Sequence, residues 1–165
     1  MELVNHIFLT DAFLAKGHVP TGAKRLTNYL NSLTRPFLVV QDVTMIATDS
    51  NDKILSNEAL IPVQDIILAH ELLEEGGDAT ARELCARGLS NASMSGFYRG
   101  RFKLDIAGRI RWRATEANNG RDFFVIQDPT VSGLSQKRTR EFNLLRQLPY
   151  LIVNRRKLSA LFIYE

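Results

Sequence analysis

The sequence predicts a mainly β protein with some helix, built as two tandem, divergent copies of a small β-barrel or curled antiparallel sheet. Three observations point there. The octet Phe37-Leu38-Val39-Val40-Gln41-Asp42-Val43-Thr44 returns 86 residues later as Phe123-Phe124-Val125-Ile126-Gln127-Asp128-Pro129-Thr130, identical at five of eight positions. An apolar stretch broken by a glycine precedes each octet, at residues 13–19 and 104–110, and an apolar run follows each, at 59–69 and 150–163. Residues 7–19 mix aromatic and β-branched side chains, which a pleated, half-buried surface favours. The copies occupy residues 1–75 and 96–165, with 76–95 as a helical linker.

In the first copy, residues 7–19 alternate around Gly17 and predict a strand or a bent pair of strands. Thr21 is placed to cap a short helix, in which Leu26, Tyr29, Leu30 and Leu33 recur at the spacing of one buried stripe. Pro36 ends that helix. A strand follows over 37–48, stopped by Asp49-Ser50-Asn51-Asp52, and a further strand runs from Ala59 towards His70. In the linker, Asp78 can cap a helix that ends at Gly88. The second copy opens at Gly96, turns near Ala107-Gly108 and continues to Thr115. Asn119-Gly120 suits a tight hairpin turn, because both residues tolerate positive φ. Strand 123–131, a helix over 137–148 and one or two strands over 150–164 complete the chain.

The segment Arg25-Leu26-Thr27-Asn28-Tyr29-Leu30-Asn31, set between the Gly17 strand and the octet, resembles an uncharacterised family of small bacterial domains with an R-L-S-D-L-L-N-like segment. The resemblance covers residues 5–70 and implies a short Sm-like β-barrel with no established activity. The second copy lacks the segment and joins the resemblance only through the repeat.

A chain of 165 residues with 45% hydrophobic and 24% charged residues matches an ordinary globular protein. Each half alone is near the size at which a core is marginal, so the two copies are expected to pack together. The single cysteine, Cys85, cannot form an internal disulfide and suits a reducing compartment. No apolar run approaches the ~18 residues of a membrane span, and the first residues lack the pattern of a signal peptide. The expectation is a cytoplasmic protein without a membrane partner. Charge is uneven: residues 1–85 hold 6 basic and 12 acidic side chains, a balance of −6, and residues 86–165 hold 15 and 6, a balance of +9. Such asymmetry is itself a partner signal.

The cations of the second copy form a pattern. Arg99, Arg101 and Lys103 alternate with Tyr98, Gly100 and Phe102, and Arg109, Arg111 and Arg113 alternate with Ile110 and Trp112. On a strand, alternate side chains share a face. Paired as a hairpin, the two segments place six cations on one surface, and like charges opposed across a sheet gain from an anionic partner. Arginine forks suit phosphate and carboxylate alike. Candidate partners are therefore nucleic acid, an acidic protein surface, or the acidic copy of the same fold, docked within one chain or between copies of the chain in a homo-oligomer. The plainer reading is a solvated, arginine-rich sheet face.

Arg109-x-x-x-Arg113 followed by Asp128-x-Thr130-x-x-Gly133 is similar to the paired motifs of PilZ domains, which bind cyclic di-GMP. Thr130 stands where that family has serine, and Asp128 matches the repeated Asp42. His70-Glu71-Leu72-Leu73-Glu74 has a histidine and a glutamate at metalloprotease spacing but no second histidine. Cys85 lies among aliphatic neighbours as a small hydrophobe. No phosphate loop, nucleophile elbow or cofactor signature is legible. The repeated Gln-Asp pairs read best as a strand-end feature in which Asp bonds turn amides. The expectation is a non-enzymatic binding or scaffolding module without a cofactor. A cyclic di-GMP receptor and an enzyme with an unrecognised site are the alternatives.

Overall fold

A computed structural model gives the structure over residues 5–22, 24–50, 52–72, 90–98, 102–110, 121–134 and 140–164. These residues form one antiparallel sheet of ten strands, open at both edges. In chain order the strands are β1 (Asn5–Leu9), β2 (Phe13–His18), β3 (Phe37–Ala47), β4 (Lys53–Pro62), β5 (Leu68–Leu72), β6 (Ser90–Tyr98), β7 (Phe102–Ile110), β8 (Phe123–Ser132), β9 (Tyr150–Asn154) and β10 (Ala160–Tyr164). Across the sheet they run β10-β6-β7-β8-β9-β5-β1-β2-β3-β4. Helix α1 (Leu26–Ser32) lies between β2 and β3, and α2 (Arg140–Leu145) between β8 and β9. The sheet is continuous because β5 pairs with β9, Leu68 opposite Val153 and Ala69 opposite Ile152. Nearly every residue of those two strands is buried.

Alternating side chains feed two clusters. Ile7, Leu9, Leu14 and Leu68 join Met94, Leu104, Ile106, Ile126, Phe142 and Leu151 in one cluster. Phe8, Ala15, Leu26, Leu30, Val40 and Ala69 join Phe123 and Ile152 in the other. Each cluster draws on both ends of the chain, so neither end owns a core. Burying one such large apolar side chain stabilises by roughly 1.5–3 kcal/mol.

The helices are held by partners from elsewhere. Leu26 and Leu30, one turn apart, are buried as the stripe predicts. Thr21 does not cap α1, whose first residue is Leu26. The Glu71 carboxylate on β5 accepts from the Leu26 amide at 2.8 Å and satisfies a helix-end donor. At the other end, the Asn31 side chain both donates to the Phe123 carbonyl and accepts from its amide, each at 3.0 Å. Asn31 thus acts as one residue of strand partner to β8. Helix α2 buries Phe142 and Leu145, and its Glu141 meets Lys53 of β4 at 3.8 Å.

Several expected boundaries move. The strand expected from Ala59 starts at Lys53 and ends at Pro62, and a 3-10 turn over Val63–Asp65 separates it from β5. A matching turn over Arg155–Lys157 divides the final apolar run into β9 and β10. Residues 90–95, assigned to the linker, lie in β6. The helical linker itself, with Cys85, and the Asn119-Gly120 turn lie outside the described residues. No turn occurs at Ala107-Gly108, because β7 runs straight through it.

Candidate functional site

What Gly108 marks is a bulge. Ala107 pairs with Thr130 and Arg109 with Gln127, so Asp128 and Pro129 of β8 together oppose one residue of β7. A Cβ on Gly108 would stand 2.7 Å from the Gln127 carbonyl oxygen and 2.7 Å from Ile126 Cγ1. Asp128 takes φ 49°, the left-handed region that Asp enters more readily than most residues. The same arrangement occurs on β2 and β3: Lys16 pairs with Thr44 and His18 with Gln41, Asp42 takes φ 50°, and Gly17 faces Val40 and Gln41. The repeated Gln-Asp pair therefore sits at mid-strand bulges, not at the strand ends expected from sequence. An open groove of about 500 Å³ lies beside the first of them, lined by Asp42, Val43, Thr44, Leu55, Ser56 and Asn57.

The bulge fixes where the candidate cations go. Along β7, Leu104, Ile106 and Ile110 are buried while Lys103, Ala107 and Arg109 are exposed, so Lys103 and Arg109 share the outer face. Lys103 and Arg109 do not face each other across a hairpin. Instead β7 pairs with β6, Lys103 opposite Phe97 and Arg109 opposite Asn91. The two cations lie on one strand, about 20 Å apart at the usual strand rise. Arg99, Arg101, Arg111 and Arg113 fall outside the described residues.

Both described cations have acidic neighbours. Arg109 forms an ion pair with Asp128 across the bulge, which brings together one residue from each half of the PilZ-like pattern. Lys103 lies 3.4 Å from Asp105, two residues along the same face. Asp105 also accepts from the Ser95 hydroxyl at 2.6 Å. That hydrogen bond, with Lys103 as a smaller contributor, holds the Asp105 carboxyl below its ordinary value despite some opposing desolvation. Comparison with protein-family models, curated proteins and solved structures gives no match to this chain.

A second basic group was not singled out in the sequence. The 3-10 turn Arg155-Arg156-Lys157 follows β9 and presents three cations together. Arg156 and Arg155 meet Asp122 at 2.9 and 3.7 Å, and Lys157 meets Asp65 at 3.8 Å. The triplet itself is the available signal, but it lies inside an apolar run that reads as strand. His70 and Glu71 belong to β5 rather than to a helix. His70 packs on Tyr150 with ring centroids 4.3 Å apart, and Glu71 holds α1. Among the described residues no three histidine, cysteine or carboxylate side chains gather in a way that could hold a metal ion. None of their helices is long and apolar enough to cross a membrane.

Proposed function

We propose that the chain is a non-enzymatic scaffolding module made of two tandem, divergent copies of one five-stranded unit, whose second copy contributes a basic surface that docks on an acidic protein surface. The observation that carries the tandem part is the register of the strand ladders. His6 opposite Gly17 matches Ala92 opposite Gly108. Lys16 opposite Thr44 matches Ala107 opposite Thr130. Phe37 opposite Pro62 matches Phe123 opposite Asn154, and Leu9 opposite Leu68 matches Ser95 opposite Ala160. Strand order within each set agrees too, β5-β1-β2-β3-β4 beside β10-β6-β7-β8-β9. On this reading the offset, 86 at the octet, rises to 92 after it. The added residues hold α2. The Sm-like resemblance of residues 5–70 and a cytoplasmic site of action belong to the same proposal.

The binding part rests on position. At the two bulges the first unit carries His18 and the second Arg109, so the backbone geometry does not demand the cation. An acidic peptide titration tests it. A polyglutamate peptide and a single-stranded oligonucleotide of equal charge are titrated at low and high salt, with cyclic di-GMP as a third probe. The expected result is peptide binding that weakens with salt and falls several-fold in Arg109→Glu, since that change replaces attraction by repulsion. Tighter binding of the oligonucleotide, with a steep salt slope, assigns the surface to nucleic acid instead. The shared outward face of Lys103 and Arg109 is the observation favouring that second reading. Saturable cyclic di-GMP binding abolished by Arg109→Ala assigns it to the dinucleotide. Indifference to all three probes overturns the anion-binding reading.

A further inference from the structure

Every exposed large apolar side chain among the described residues lies at one end of the sheet or the other. Phe37, Ile54, Leu55 and Leu60 are on β3 and β4, and Phe162 is on β10. β4 and β10 are the two edge strands, each with one side of its backbone unpaired by the sheet. Such edges are templates for pairing with another chain.

The middle of the sheet shows how those edges fit each other. In the matched ladders β9 corresponds to β4, and β5 corresponds to β10. The β9–β5 junction is therefore the same kind of contact that β4 of one chain could make with β10 of the next. At the internal junction Ile152 is 0% exposed and His70 4% exposed. Their counterparts at the bare edges, Leu60 and Phe162, are 58% and 52% exposed. Positions covered inside the sheet are uncovered at its two edges. The adjoining turns agree in charge. Lys157, after β9, meets Asp65, before β5, at 3.8 Å. Between chains, Asp65 follows β4 and Lys157 precedes β10, so opposite charges again flank the junction. The −6 half of one chain is brought against the +9 half of its neighbour.

We infer that the chain associates head to tail with further copies of itself, β4 of one pairing antiparallel with β10 of the next in the register of the internal junction. That register sets Leu60 opposite Leu161 and Ile61 opposite Ala160. The inference rests on the tandem reading proposed above. The contact is heterologous, so repetition gives a ring if the rotation closes and a filament if it does not. One difference makes the external junction weaker. Internally, Asn154 donates from its amide to the Ile67 carbonyl and from its side chain to the Ile66 carbonyl, at 3.0 and 2.9 Å. Pro62 takes that place at the edge and can make neither bond. Association is accordingly reversible and concentration-dependent.

The test uses the full chain and two edge variants, Leu60→Lys on β4 and Phe162→Lys on β10, with mass measured by sedimentation or light scattering. Wild type is expected to exceed its monomer mass of 18.7 kDa as concentration rises. Each variant alone is expected to be monomeric, because every contact needs one edge of each kind. Mixed, they are expected to form a one-to-one dimer and nothing larger, since each retains the edge the other lost. Leu55→Lys, on β4 but beyond the reach of β10 in this register, should assemble as wild type does. A wild type monomeric at its highest soluble concentration overturns the inference. So does a single-edge variant that still self-associates, a mixture that stays monomeric, or a Leu55→Lys chain that falls apart. Circular dichroism melts establish that each variant is folded; an edge variant that is unfolded is replaced by Leu60→Asn or Phe162→Asn in the same scheme. The proposed anion contact is judged separately, because peptide binding by Arg109 is read on monomeric chains. A monomeric wild type that binds the peptide spares that contact, and assembly without peptide binding removes it.

Discussion

Two bulges share a backbone and differ in chemistry. Around Gly17 stand His6, His18 and Asp42, with the two imidazole centroids 5.9 Å apart. Around Gly108 stand Ala92, Arg109 and Asp128, and the guanidinium is paired with the carboxylate. What the two places keep in common is a glycine facing an aspartate at φ near 50°. The bulge needs those two residues: one to admit the close backbone approach, the other to turn left-handed. The neighbouring charge is free to change, and that freedom separates what folds this protein from what its surface presents.

The most damaging way to probe the comparison is at the glycines. In Gly17→Ala the new methyl carbon would stand 2.6 Å from Val40 Cγ1 and 2.7 Å from the Gln41 oxygen; in Gly108→Ala it would meet Ile126 and the Gln127 oxygen, both at 2.7 Å. Backbone oxygen cannot rotate aside, so each substitution should destabilise by about 1–3 kcal/mol, as overpacking does. Urea unfolding of the two variants should give losses of similar size. A large loss at one and none at the other would show that the two bulges are not mechanically alike.

Those glycines also mark where sequence reasoning reached its limit. A glycine inside an apolar, alternating stretch signals either a turn or a close approach of backbone, and local sequence does not distinguish them. Taken as a turn, Gly108 sets Lys103 and Arg109 on facing strands, whereas both belong to β7. β3 was legible because it is long and rich in β-branched residues. The start of β4 was not, since Ser56-Asn57-Glu58 looks like a turn. An edge strand exposed on both faces has no apolar alternation to announce it. The Glu71 and Asn31 contacts join residues 45 and 92 positions apart and leave no local pattern. Of the six candidate cations, the two described, Lys103 and Arg109, lie on the outer face of β7, and strand alternation alone decides that residues an even number apart share a face.

The histidine at the first bulge offers a second, smaller contrast. His6 is buried and its Nδ1 accepts from the Val19 amide at 3.1 Å. Burial, and then the neighbouring His18, pushes His6 down from 6.5 to about 4. Between those values the unfolded chain takes up a proton that the folded chain refuses. His6 therefore stabilises fully above pH 6.5, and the contribution is lost as pH falls towards 4. Thermal midpoints across that window should decline in wild type. His6→Asn keeps an acceptor for Val19 but does not titrate, so its profile should be flatter. An unchanged slope would assign the acid sensitivity elsewhere; Ala92, at the matching position of the second bulge, adds no such dependence.

The smallest expected effect isolates the Arg109 pair. Replacing either aspartate by glycine relieves the left-handed backbone and loosens the unfolded chain, two opposing changes that occur at both bulges. Asp128→Gly additionally removes the partner of Arg109, whereas Asp42→Gly does not. With 45% and 65% of their side-chain surfaces exposed, Arg109 and Asp128 lie where ion pairs are worth about 0.2–1 kcal/mol. Asp128→Gly should therefore be less stable than Asp42→Gly, relative to wild type, by that margin, and the gap should shrink in high salt. Arg109→Gln should erase it. A gap that survives Arg109→Gln would mean the bulges differ in backbone strain and not in charge. If instead the gap closes, the Arg109 fork gains little from its own chain, and an acidic partner surface can compete for it.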